Sequence, residues 1–201
     1  MEVWAPFLLF SAVMAVTPGP TNILVFAISS RHGWAAALPA VLGAGAGVAS
    51  LLLLAGLGLG ELLLRQPLVQ EVLSWIGVAW LSWLAWKIFS SPPAHLDRDG
   101  VRERRAPLGF VGTVGLQLVN PKAWIMALSA VTVFSGAALG HAGGSLEMAL
   151  LFYLVSLPCV GAWVVLGAGT GRLLGSPRRM VYMNRGLGLL LLVSAWVSVL
   201  L

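Results

Sequence analysis

Residues 3–30 read VWAPFLLFSAVMAVTPGPTNILVFAISS, and residues 107–134 read PLGFVGTVGLQLVNPKAWIMALSAVTVF. Both are almost wholly apolar, and both exceed the about 20 residues that an α-helix needs to cross the hydrocarbon of a bilayer. Each is interrupted near its middle, the first by Thr17-Pro18-Gly19-Pro20 and the second by Asn120-Pro121-Lys122. Proline has no N–H to give the helix ladder and its ring clashes with the preceding turn, so these points open a helix. The carbonyls freed in this way are tolerated at membrane depth only where protein or a water-filled cavity meets them. Two long apolar segments, each broken halfway, therefore predict a membrane protein with discontinuous helices.

The composition of the whole chain agrees. Of 201 residues, 59% belong to the AVILMFWYC set and 9% are charged, with a mean hydropathy of +0.93. A soluble domain carries about 25% charged residues. With so little charge the chain cannot coat a globule in water, but a lipid-facing surface needs no such coat. Lys and Arg number 12 against 7 Asp and Glu, yet the cations lie in polar breaks between apolar runs. That is the pattern of membrane orientation, so the lipid bilayer is an expected partner and nucleic acid is not. Cys159 is the single cysteine, and His32, His95 and His141 are far apart. No ligand spacing for a metal emerges, and no cofactor is expected. Met1-Glu2-Val3 lacks the basic start of a signal peptide, so none is expected.

Cutting the chain at its charges and turn residues leaves six apolar segments, at Val3–Ser30, Trp34–Leu64, Val72–Phe89, Pro107–Leu139, Glu147–Thr170 and Val181–Leu201. Alternating strand patterns are absent, so the expectation is an all-α integral membrane protein with six transmembrane helices, forming a single transporter domain over 1–201. Segments one, two and four are too long for a straight perpendicular helix and must tilt, kink or break. If each segment crosses once, Arg31, Lys87, Arg98, Arg102, Arg104, Arg105, Arg172, Arg178, Arg179 and Arg185 share one side, against Arg65 on the other. The basic side is then cytoplasmic and both termini lie outside. Residues 90–106 become a cytoplasmic loop, in which Asp97, Asp99 and Glu103 accompany the arginines as a solvated orientation signal.

The two interruptions fall in the first and fourth segments, each the first of a set of three. An odd number of crossings per set makes the halves, about 1–89 and 107–201, enter from opposite sides. This is the arithmetic of an inverted 3+3 repeat with broken helices 1 and 4, whose half-helices build a site near the midplane. The half-helix after Pro20 starts with N–H groups and a positive dipole end that suit a carboxylate. Thr21 and Asn22 add donors and acceptors, and Asn120 adds an amide from the other half. The expected substrate-binding residues are Thr17, Pro18, Gly19, Pro20, Thr21 and Asn22 with Asn120, Pro121 and Lys122. Lys122 is the one formal charge deep in a segment, either holding a substrate carboxylate or snorkelling from a helix end. No Asp or Glu occupies a segment interior.

Other features point to packing. Gly43, Gly45 and Gly47, with Gly56, Gly58 and Gly60, place small residues along segment two for close helix approach. Trp75 and Trp86 fit interface belts, while Trp80 and Trp83 lie deeper, where lining a path is the alternative to packing. Pro158 is expected to kink segment five, and Cys159 reads as a small buried hydrophobe.

On these residues the chain resembles the LysE/RhtB-type amino-acid exporters along essentially its whole length. The resemblance is carried by Thr17-Pro18-Gly19-Pro20-Thr21-Asn22 with Ser29 and Gly33, by LSWIGVAWLSWLAWKI at 73–88, and by LQLVNPKAW at 116–124. The last two look like the cysteine/O-acetylserine exporter branch. The chain departs from the pattern where many members carry Asp just after TPGP, and in the Val131–Phe134 stretch that replaces an aromatic-rich element. The resemblance implies a secondary transporter exporting small amino acids or derivatives (cysteine/O-acetylserine-like, or homoserine/threonine-like) from a bacterial cytoplasm across the inner membrane. Proton-gradient coupling follows from the resemblance in the same way, and a homo-oligomer is compatible with it. A cation or metal exporter of similar broken-helix architecture is the alternative. A membrane enzyme has only His95, Asp97 and Asp99 as candidate groups, and no enzymatic activity is expected.

Overall fold

A computed structural model of the chain describes residues 4–59, 66–91, 108–138, 144–173 and 176–200. Every regular element among them is helical. The elements are α1 (Trp4–Val16), α2 (Pro20–His32), α3 (Trp34–Leu54), α4 (Pro67–Phe89), α5 (Phe110–Leu118), α6 (Pro121–Ala138), α7 (Gly144–Leu173) and α8 (Pro177–Leu200). Four stretches are long and apolar enough to cross a bilayer, at Trp34–Gly58, Glu71–Phe89, Gly144–Thr170 and Arg178–Val197. Helices α1 and α2 are bent 55° apart at their break and make a fifth span when taken together. The fourth expected segment is divided between α5 and α6, and the apolar helix Pro121–Phe134 is shorter than a span.

Local chemistry sets these boundaries. Pro20, Pro67, Pro121 and Pro177 each open a helix, since the first helical position needs no N–H donor and suits the fixed φ of proline. Helix α4 therefore starts at Pro67 rather than Val72. Helix α3 ends in one π-helical turn, Ala55–Leu59, where Gly58 stands at φ 96 in the left-handed region that a side chain resists. Pro158 lies inside α7, which continues on both sides of it. The loop 90–106 beyond Ser91, with His95, Asp97 and Asp99, falls outside the described residues, as do Glu61, Arg65 and His141.

Helices α3 and α7 are central, packing on one another and on both broken elements. Their close approach depends on glycine. A Cβ on Gly43 would strike the Phe110 carbonyl oxygen, and one on Gly47 would lie 2.6 Å from Gln117 Cγ. On the facing side, a Cβ on Gly45 would lie 2.8 Å from Ser156 Oγ. Tight packing of this kind is a main source of helix association in lipid, where burial from water is no longer available.

Two apolar cores result. One gathers Ile23, Leu24 and Ile28 of α2 with Ala37, Ala40 and Val41 of α3, Val160 and Val164 of α7, and Leu191 of α8. The other gathers Phe7 of α1 with Val48, Leu51 and Leu52 of α3, Met126 and Ala130 of α6, and Met148 and Phe152 of α7. Along both central helices the two cores lie on either side of one short level, where the buried Asn22, Gln117, Asn120 and Ser156 collect.

Candidate functional site

Helix α1 ends at a proline-glycine-proline turn, so its last carbonyls lose the N–H groups of residues 18 and 20. Side chains replace them. Asn22 Nδ2 donates to the Ala15 carbonyl at 2.9 Å and to the Thr17 carbonyl at 2.8 Å. Trp163 Nε1 donates to the Val16 carbonyl at 3.0 Å. Lys122 Nζ donates to the Thr17 carbonyl at 2.7 Å and reaches the Pro18 carbonyl at 3.5 Å. A cation is thereby placed at the negative end of a helix dipole. Thr17 closes the turn by donating its N–H, at 3.0 Å, and its hydroxyl to Val13.

The second break is closed differently. Asn120 caps α6, its Oδ1 accepting the Lys122 N–H at 3.2 Å and its own carbonyl accepting from Ala123 at 3.0 Å. Trp124 Nε1 donates back to the Leu118 carbonyl at 2.7 Å. Helix α2 has no such cap. Gly19 precedes it in extended backbone and offers no side-chain bond, which leaves the first-turn N–H groups of Thr21 and Asn22 without a capping side chain.

The two breaks meet. The Thr21 hydroxyl lies between two amides of the other half, 2.9 Å from Gln117 Nε2 and 3.5 Å from Asn120 Nδ2. Those amides bond each other, Asn120 Nδ2 donating to Gln117 Oε1 at 3.2 Å. Asn22, Gln117 and Asn120 are all buried. Lys122 passes over Gly19, where an added Cβ would lie 3.0 Å from its Cδ. Glycine at this position makes room for the lysine stem.

A cavity of about 50 Å³ lies at this level. The first break supplies Gly19, Pro20, Thr21 and Asn22, and the second supplies Gln117, Asn120 and Lys122. Helices α3 and α7 close it with Ala44, Gly45, Phe152 and Ser156. At 1.5 Å per residue, Ala44 is about 15 Å along α3, half the about 30 Å thickness of a hydrocarbon core.

Of the nine residues expected from sequence, Gly19, Pro20, Thr21, Asn22, Asn120 and Lys122 line the cavity. Thr17 and Pro18 take part through their carbonyls, their side chains being exposed. Pro121 starts α6, and its ring packs near Gly77 of α4. The Lys122 ammonium reaches from the start of its own helix to the carbonyls of the opposite break. Sequence reasoning missed Gln117, although it stands in the LQLVNPKAW stretch as an uncharged polar group inside a span. It also missed Phe152 and Ser156, which nothing in their own segment marks. Trp75, Trp80, Trp83 and Trp86 all lie exposed on the outer face of α4. Trp80 and Trp83 therefore line no internal path; the opposite face of α4, through Leu81, Leu84, Ala85 and Ile88, is the buried one.

A family model described as LysE type translocator matches residues 12–200. Proteins named cysteine/O-acetylserine efflux protein are similar in sequence. Those of Salmonella choleraesuis (strain SC-B67) and Salmonella typhi are 36% identical to this chain over 129 residues. That of Escherichia coli (strain K12) is 33% identical over 129 residues. In each case the match covers 64% of this chain and 63% of the relative, so it spans somewhat less than two thirds of the relatives' length. No solved structure matches the chain.

Proposed function

This chain belongs to the LysE type translocator family, and from that premise we propose that it is a secondary transporter exporting a small amino acid or a derivative of one from a bacterial cytoplasm. The observation that carries the proposal is the meeting of two helix breaks at one cavity, with a lysine ammonium and an uncapped helix N-terminus on its wall. A carboxylate placed at the first turn of α2 meets the N–H groups of Thr21 and Asn22 and lies beside the Lys122 ammonium. Thr21, Gln117 and Asn120 are then within reach of the polar groups of a small side chain. The same ammonium disfavours a cation as cargo, which weighs against the metal-exporter reading. The relatives' names point to cysteine- or O-acetylserine-like substrates, and homoserine- or threonine-like ones suit the same donors.

The inverted 3+3 repeat is part of this proposal. Exchanging α1, α2, α3 and α4 for α5, α6, α7 and α8 maps the main helix contacts onto one another. The pairs α3–α7 and α4–α8 map onto themselves, α3–α5 maps onto α1–α7, and α2–α7 maps onto α3–α6. The packing of α2 on α8 is the principal exception. With six crossings and the basic side inward, both termini lie outside, in the inner membrane. The apolar cores above and below the cavity then act as the two gates of an alternating-access cycle. Among the described residues Lys122 is the one titratable side chain on the cavity wall, so a proton-linked cycle runs through its amine.

Uptake of labelled cysteine, O-acetylserine, homoserine and threonine into inside-out vesicles, with and without an imposed pH gradient, tests the proposal. Saturable, gradient-dependent accumulation of at least one of them is expected. Accumulation equal to that of vesicles lacking the protein, for the whole panel, would overturn it.

A further inference from the structure

At the basic end of the molecule α4 ends and α8 begins, and these two helices pack along one another. Between them lies an open groove of about 330 Å³ lined by Phe89, Ser90, Ser91, Val181 and Arg185. One cation lines it with an aromatic ring for a partner, the Arg185 guanidinium carbon lying 5.8 Å from the Phe89 ring centroid. Arg178 and Arg179, both exposed, stand in the first turn of α8. The carboxylates among the described residues are Glu71 and Glu147, near the starts of α4 and α7 and away from this end. A ring holds a cation only loosely at an exposed site and leaves it available to an anion. Toward the membrane interior the adjoining surface is apolar and exposed, through Trp86, Leu189 and Leu190.

We propose that this groove seats the phosphodiester headgroup of an anionic phospholipid. Arg185 supplies its charge contact, the Ser90 hydroxyl a neutral one, and the acyl chains lie along Trp86 and the Leu189–Leu190 face. Basic pockets between helix ends at a membrane surface have the right chemistry for such headgroups. An acyl-bearing anion fits better than free phosphate, because one molecule then meets both the cationic rim and the apolar face beneath it. The site is separate from the central cavity and does not depend on what the protein transports.

Native mass spectrometry of the full chain in neutral detergent tests this, with phosphatidylglycerol and phosphatidylcholine of identical chains and with glycerol phosphate as the free headgroup. The wild-type chain is expected to retain phosphatidylglycerol at least tenfold over phosphatidylcholine, with glycerol phosphate failing to displace it. The R185Q variant should lose the preference, and the charge-keeping R185K variant should retain it, both eluting as the wild type does. Equal retention of the two lipids overturns the proposal, as does an undiminished preference in R185Q or displacement of the lipid by glycerol phosphate. Loss of the preference in R185K alongside wild-type elution counts against it equally.

Discussion

Replacing Lys122 by glutamine separates a substrate contact from a structural one, because the structure gives different magnitudes for the two. Lys122 donates to the Thr17 carbonyl at 2.7 Å and to the Pro18 carbonyl at 3.5 Å. The Thr17 carbonyl keeps Asn22 Nδ2 at 2.8 Å in the variant, so only the long Pro18 contact is lost outright. The expected cost to stability is that of one ordinary hydrogen bond, about 1 kcal/mol. A substrate carboxylate loses its one cation instead. Hydrogen bonds to charged groups contribute about 1.5–3 kcal/mol, which raises KM roughly tenfold to a hundredfold. Initial rates of uptake into inside-out vesicles give KM, and thermal unfolding in detergent gives the stability change. An amine analogue lacking the carboxylate completes a cycle, and it should be transported equally poorly by wild type and K122Q. A K122Q protein with wild-type KM would refute the assignment of Lys122 to the carboxylate.

Gly19→Ala places a Cβ 3.0 Å from Lys122 Cδ and 3.2 Å from its Nζ. A flexible stem can yield there, so vesicle assays should show a raised KM with a melting temperature near that of wild type. Gly43→Ala places a Cβ against the Phe110 carbonyl oxygen, which is backbone and cannot yield. The overpacking cost is about 1–3 kcal/mol, read as a lowered melting temperature in detergent. Trp80→Leu and Trp83→Leu alter an exposed face of α4 and should change stability by no more than about 0.5 kcal/mol, with export kinetics unaltered.

The breaks were legible because their cause is local. Pro18, Pro20 and Pro121 withhold N–H groups whatever surrounds them, and apolar runs too long for one crossing predict that something must give way there. Lys122 was only half legible. A lysine in an apolar segment has to reach water, a helix end or a partner, and its neighbours in sequence do not say which. The acceptor is more than a hundred residues away, at Thr17, and the lack of a Cβ on Gly19 is what opens the route. Gln117, Phe152 and Ser156 depend on which faces of α5 and α7 turn inward, and that follows from the glycine contacts of α3 with both. Trp80 and Trp83 illustrate the converse. Their depth along α4 was legible, but their direction is set by the packing of Leu81, Leu84 and Ala85 on the other face.

The donors that close the first break belong largely to the second half of the chain. The Val16 carbonyl is served by Trp163 of α7, and the Pro18 carbonyl by Lys122 of α6. Thr21 in turn is held by Gln117 and Asn120. In the proposed cycle a relative movement of the halves therefore takes donors from the Val16 and Pro18 carbonyls and partners from the Thr21 hydroxyl at once. In a dry interior each carbonyl left bare costs about 1–3 kcal/mol, and the two together would hold the halves shut. If water or a carboxylate enters as the donors leave, that cost falls toward the small net value of an exchanged hydrogen bond. Opening is then favourable only on the side where the cavity becomes hydrated, and a bound substrate carboxylate can draw Lys122 away from Thr17. In the proposed cycle the first proline break couples occupancy to movement, because its Val16 and Pro18 carbonyls are completed by donors of the other half.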